Sequence, residues 1–140
     1  MQVQRIDHVH VEVSDRDAAA EWYGHVLGLR RHDALAHWAA DPMGPLILEG
    51  GDGHPALSLF ARGCAAPTRE ATVAFRVDGA AFVAVCGALE ALGLVGTTGA
   101  PLGTKDVVDH DVSWSLYFVD PDGNRIEVTT YDYAQVLAAI

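Results

Sequence analysis

The stretch "IDHVHVEVSDRDAAAEWYGHVLGL", residues 6–29, changes its period part-way along. In its first third, residues alternate: Val9, Val11 and Val13 fall on one side of an extended chain, and His8, His10 and Glu12 on the other. After that, Ala19, Trp22, Tyr23, Val26 and Leu27 recur at helical spacing. Ser14 or Asp15 stands where a helix is capped, and Gly28 where one stops. The stretch therefore predicts a strand followed by a helix. The pattern restarts in "ATVAFRVDGAAFVAVCGALEALGL", residues 71–94, which stops at Gly93. Aligning Val13 with Val77 pairs His8 with Thr72, His10 with Ala74 and Glu12 with Arg76.

The rest of each half completes the repeat. Strands are expected around Arg30 to Ala39, around Pro45 to Glu49, and at "ALSLF", 56–60, before a linker, "ARGCAAPTRE", at 61–70. In the second half, strand-like residues near 94–98 and a loop rich in Gly, Pro and Asp precede a hairpin. Its arms are "SWSLYFV" and "NRIEVTTY", and its turn is "DPDG". "YAQVLAAI" ends the chain as a short helix. The fold class is α+β, with two tandem βαβββ modules at about 1–62 and 70–133 of a single 1–140 domain. The faces away from the helices are expected to form a shared cup lined by His8, His10, Glu12, Ser58, Phe60, Thr72, Arg76, Ser115, Tyr117, Glu127 and Thr129. Most are polar, on faces that a plain sandwich fills with Val, Ile and Leu.

Composition narrows the function. Half of the 140 residues are hydrophobic, enough for a core. A formal charge of −10 argues against nucleic acid, whose phosphates attract basic surfaces. Cys64 and Cys86 make neither a disulfide framework nor a metal-type pair, which fits a reduced, cytoplasmic setting. Neither a signal peptide nor a membrane span is expected.

With these features in place, the sequence resembles the vicinal-oxygen-chelate superfamily of glyoxalase I, fosfomycin- and bleomycin-resistance proteins and extradiol dioxygenases. The opening strand and helix at 6–29 and the closing hairpin "LYFVDPDGNRIEV" carry the resemblance. Within "DHDVSWSLYFVDPDGNRIE", His110, Leu116, Tyr117, Asp120, Pro121, Gly123 and Glu127 fill the places of an extradiol-dioxygenase pattern. The resemblance implies His8 and Glu127 as metal ligands, with His110 and Tyr117 near the substrate. It also implies a ligand at position 72, which is Thr72, and for glyoxalase I at position 58, which is Ser58. Neither residue replaces the expected ligand.

A third ligand is therefore needed: His10 and His110 are candidates, and water or substrate could also complete a weak site. Positions two apart on a strand are about 6.5 Å apart along the chain, which two imidazoles can close onto one ion. A facial set of two histidines and one carboxylate suits Fe(II), and harder, oxygen-rich sites suit Mn or Mg, so Fe(II) or Mn is the expected ion. The resulting expectation is a metal-dependent enzyme acting on a small, oxygen-chelating substrate such as a catechol. His10, His110 and Tyr117 would be its catalytic groups. Trp38, Ser58, Phe60, Thr72, Arg76 and Ser115 would contact the substrate. The alternative, motivated by Thr72 and Ser58, is a metal-free protein: an antibiotic-binding resistance protein whose acidic cup holds a cationic drug, or a cofactor-free acid/base enzyme. Glu12 and Arg76 could form a structural pair, and His25, His32, His37 and His54 are expected at the surface or rim. Asp106, Asp109 and Asp111 read as a solvated loop, and Trp22, Tyr23 and Trp114 as core. The resemblance implies a homodimer.

Overall fold

The computed structural model describes residues 8–63 and 72–140. Ile6, Asp7, Cys64, Ala71 and most of the expected linker lie outside them. The chain divides into two compact units between Pro67 and Thr68.

The first unit holds β1 (Val9–Glu12), α1 (Arg16–Leu27), β2 (Arg30–Arg31), β3 (Leu46–Glu49) and β4 (Pro55–Phe60). Its sheet runs β1-β4-β3-β2, with β1 parallel to β4 and the other pairs antiparallel. The second unit holds β5 (Thr72–Arg76), α2 (Gly79–Leu92), β6 (Val108–Asp109), β7 (Trp114–Val119), β8 (Arg125–Thr130) and α3 (Tyr133–Leu137). Its sheet, β5-β8-β7-β6, repeats the same order. The register repeats too: His10 lies beside Ser58 in one ladder, and Ala74 beside Glu127 in the other. The α+β class and the tandem βαβββ plan are as the sequence predicts. The helices differ in length, with 12 residues in α1 and 14 in α2.

Local chemistry sets the helix ends. The Asp15 carboxylate accepts the N–H groups of Asp17 and Ala18 at 2.8 and 3.0 Å, satisfying donors that have no partner within the helix. Asp78 caps α2 in the same way, through the Ala81 N–H at 2.8 Å. Gly28 ends α1 with φ 67, a left-handed conformation that glycine adopts without a Cβ clash. Each helix covers the apolar face of its own sheet. Val11, Val13, Leu46, Leu48, Leu57 and Leu59 are buried with Ala19, Ala20 and Tyr23. In the second unit, Leu116, Phe118, Ile126 and Val128 are buried with Phe82, Cys86 and Leu89. Full burial of such a side chain stabilises by about 1.5–3 kcal/mol.

Two expected strands are corrected. The 30–39 segment is a strand only at Arg30–Arg31, and Asp33–Ala40 is a 3-10 helix. "DALAHWAA" lacks β-branched residues, which favour strands. Arg16 fixes the end of this helix, because its guanidinium donates to the carbonyls of Ala39 at 3.2 Å, of Asp41 at 3.0 Å, and of Gly44. Near 94–98 there is no strand but a bridge at Val95, to Pro101 and Val119. Gly96 and Gly99 close a turn at once, through Gly96 N–H to Ala100 O and Gly99 N–H to Gly96 O, both 2.9 Å. Among the described residues, no helix is long and apolar enough to cross a membrane.

Candidate functional site

In the first unit the alternation of β1 places His8, His10 and Glu12 on the face opposite α1. The His8 and His10 rings stack, with centroids 5.1 Å apart and an interplanar angle of 16°. Their Nε2 atoms approach to 3.1 Å. His10 also packs against Phe60 at 4.8 Å, and the Arg62 guanidinium covers that phenyl ring at 3.4 Å. Ser58, beside His10 in the ladder, is 1% exposed, and its hydroxyl has no hydrogen-bond partner among the described residues. Ile47 follows in the same row, and the His32 N–H donates to its carbonyl at 3.0 Å.

His32 is half-buried on the polar face, and its Nδ1 is buried without a partner among the described residues. Strand alternation accounts for it. Arg31 faces α1, where it pairs with Asp17 at 2.7 Å, so its strand neighbour His32 must face the other way. His25, His37 and His54 are exposed, as expected. Trp38, expected on a strand, is 45% exposed on the 3-10 helix, edge-on to His37 at 5.5 Å. Glu12 accepts from the Arg62 N–H at 3.4 Å.

In the second unit, Glu127 lies on the face of β8 that points away from α2. Its Oε1 accepts the Ser115 hydroxyl at 2.7 Å, and Ser115 Oγ is 3.1 Å from Thr129 Oγ1. Thr129 donates to the Trp114 carbonyl at 3.1 Å. Tyr117 is Glu127's neighbour on β7. Burial, then the Glu127 charge, raises its phenol above the ordinary tyrosine value, while a hydrogen bond with Ser115 opposes them. The phenol is thus protonated at neutral pH. His110 Nε2 lies 3.2 Å from the Tyr117 hydroxyl. Thr72 and Arg76 are exposed on β5, and the Arg76 guanidinium stands over the Tyr131 ring at 5.2 Å.

The Asp-Pro-x-Gly part of the pattern is a turn former. Asp120 accepts the Asn124 and Asp122 N–H groups at 2.7 and 3.0 Å, and Gly123 has φ 89. Of the loop aspartates, Asp109 and Asp111 are exposed, as expected, and Asp106 is half-buried. Asp106 accepts the Gly103 N–H at 2.9 Å, and Asp109 takes two hydrogen bonds, from the Asp111 N–H and the Tyr133 hydroxyl, both 2.8 Å. Tyr23 and Trp114 are core residues, as expected, and Trp22 is half-buried.

Whether these donors suit a metal can be tested on geometry. Two nitrogens each about 2.1 Å from one ion are about 3.0 Å apart at a right angle and about 3.4 Å apart in a tetrahedron. The His8–His10 separation of 3.1 Å falls in that interval. The same 3.1 Å is also an ordinary hydrogen-bond distance between the two rings. Among the described residues, no three His, Cys, Asp or Glu side chains converge as a metal cluster. Thr72 and Ser58 stand in strands at the positions the repeat assigns them, so neither supplies the missing ligand.

Residues 5–128 match the family model of the Glyoxalase/Bleomycin resistance protein/Dioxygenase superfamily. The chain belongs to this superfamily. Among solved structures, Oxidase ChaP-H2 is 25% identical, with TM-score 0.66 over 93% of this chain and 94% of that chain. A glyoxalase/dioxygenase from Nostoc punctiforme is 22% identical, with TM-score 0.64 over 91% of each chain. A glyoxalase family protein from Bacillus anthracis is 22% identical, with TM-score 0.68 over 94% and 98%. No curated protein sequence matches the chain.

Proposed function

We propose that this superfamily member is a divalent-metal-dependent enzyme of the oxidase/dioxygenase kind, acting on a small substrate that offers two vicinal oxygens, such as a catechol. The observation that carries the reading is the 3.1 Å approach of His8 and His10 Nε2 on the strand where the superfamily keeps its first ligand. His10 then takes over the role that Thr72 cannot fill. The similarity to Oxidase ChaP-H2 supports an oxidative reaction. Glu127 is the carboxylate that the family pattern assigns to the ligand set, held in place by the Ser115 hydroxyl.

When bound, Fe(II) or Mn supplies a Lewis acid and, for Fe(II), a site for oxygen activation. The chain's own residues do the rest. To act as donors, His8 and His10 must both present a bare Nε2, with the proton on Nδ1. Without an ion, one of them carries the Nε2 proton and donates it to the other across 3.1 Å. Tyr117, kept protonated, accepts the hydrogen bond of a substrate hydroxyl and donates its own to His110 Nε2, 3.2 Å away. As the substrate ionises, its proton passes to Tyr117 and the Tyr117 proton to His110, and the reverse transfer returns it.

Oxygen uptake by anaerobically Fe(II)-loaded protein with catechol and its alkyl and aryl derivatives is the test. Substrate-dependent uptake is expected, abolished in Glu127→Ala and His8→Ala. Turnover that survives both substitutions and EDTA contradicts it and selects a second reading, a cofactor-free acid/base enzyme. Thr72 and Ser58 at ligand positions favour that reading.

A further inference from the structure

His110 is exposed and sits on a short turn, yet its ring is in contact with the Tyr117 hydroxyl. An exposed histidine on a loose loop would lose that contact to rotamer and backbone freedom. The turn is held from one side by its own backbone, through the His110 N–H to the Ser113 carbonyl at 2.9 Å. Asp111 has φ 65, a left-handed conformation that costs an L-residue about 1–2 kcal/mol unless it is supported locally. The support is the Asp109 carboxylate. One oxygen accepts the Asp111 N–H at 2.8 Å, and the other accepts the Tyr133 hydroxyl at 2.8 Å.

Tyr133 is itself well anchored. Its ring stacks on Trp114 with centroids 5.3 Å apart at 17°, and the Trp114 indole N–H donates to its carbonyl at 3.3 Å. Trp114 is the ladder partner of Asp109. The start of α3 is tied to the start of α2, where Asp132 accepts the Gly79 N–H at 2.8 Å. Asp109 raises the Tyr133 phenol above its ordinary value, so the hydroxyl stays a donor. A continuous set of contacts thus runs from α2 through α3, Tyr133, Asp109 and the 110–113 turn to His110 and Tyr117.

We propose that Tyr133 is a positioning residue for His110: its hydroxyl, acting through the Asp109 carboxylate, holds the 110–113 turn in the conformation that brings the imidazole to the Tyr117 hydroxyl. The geometric statement stands by itself, and its catalytic consequence rests on the acid/base role proposed for His110. Under that role, α3 is part of the catalytic apparatus, acting through Asp109.

Tyr133→Phe tests the proposal, because it keeps the ring on Trp114 and removes only the hydroxyl. The first readout is the nuclear Overhauser effect between the His110 and Tyr117 ring protons in metal-free protein, with amide exchange at Asp111. The Overhauser effect is expected to fall at least two-fold, and Asp111 exchange to rise about ten-fold, with the melting temperature little changed. Asp109→Asn, which leaves one acceptor oxygen, is expected to lower the Overhauser effect to an intermediate level. Wild-type intensity in both variants overturns the proposal. If oxygen uptake is present, Tyr133→Phe is expected to lower kcat several-fold with KM unchanged. A rise in KM alone would overturn the catalytic consequence. Loss of the ring contact in a protein that turns over no catechol would leave the positioning intact and refute the proposed function.

Discussion

His10 and Thr72 together decide how the site is read. Position 72 is where the superfamily pattern expects a ligand, and threonine there was visible in the sequence, as was the shared face of His8 and His10. The sequence could not show that the two rings close to 3.1 Å, because that depends on rotamers chosen against Phe60 and Arg62. It also hid His32, since the misread strand after Arg31 obscured the parity of the one before. Ser58 yields a prediction at this scale. A buried hydroxyl without a partner costs about 1–3 kcal/mol, and among the described residues Ser58 Oγ is such a group. Ser58→Ala is expected to leave the ligand-free protein as stable or about 1 kcal/mol more stable in urea unfolding. A loss beyond about 1 kcal/mol would show that the hydroxyl has a structural partner.

The helices and the closing hairpin were legible because their ends carry their own chemistry: Asp15, Asp78, Gly28, Gly93 and the Asp120–Gly123 turn all act locally. The 30–39 segment was not, because what ends its 3-10 helix is Arg16, 25 residues from Asp41 in sequence. Arg16→Met is expected to cost about 1–2 kcal/mol, within the range for hydrogen bonds from charged donors. Amide exchange at Asp41 and Gly44 should accelerate, and unchanged exchange there would remove Arg16 from this role. A second element, α3, responds to alkali. The folded pKa of Tyr133 is raised by Asp109, so its contribution to stability is complete below the ordinary tyrosine value and disappears as pH rises through the folded one. As pH rises from the ordinary tyrosine value through the higher folded one, the melting temperature of the wild type should fall more than that of Tyr133→Phe. Parallel curves for the two proteins would contradict the hydroxyl–carboxylate bond.

For the whole molecule, the internal repeat was the strongest message in the sequence, and the paired registers of His10 with Ser58 and Ala74 with Glu127 confirm it. Matching positions hold His10 and Ala74, or Ser58 and Glu127, so the two modules repeat the backbone register but not the side-chain chemistry. Composition bounded the partners through the charge of −10, but it carries no information on which ion completes the donor set. The central claim is that His10 joins His8 as a metal ligand. Metal content and affinity, measured on protein purified without chelator and supplied with Fe(II) or Mn(II), test it most directly. The account predicts about one ion per chain in the wild type, with His8→Ala and His10→Ala each weakening binding by at least ten-fold. No stoichiometric metal in the wild type, or wild-type affinity in His10→Ala, would contradict it.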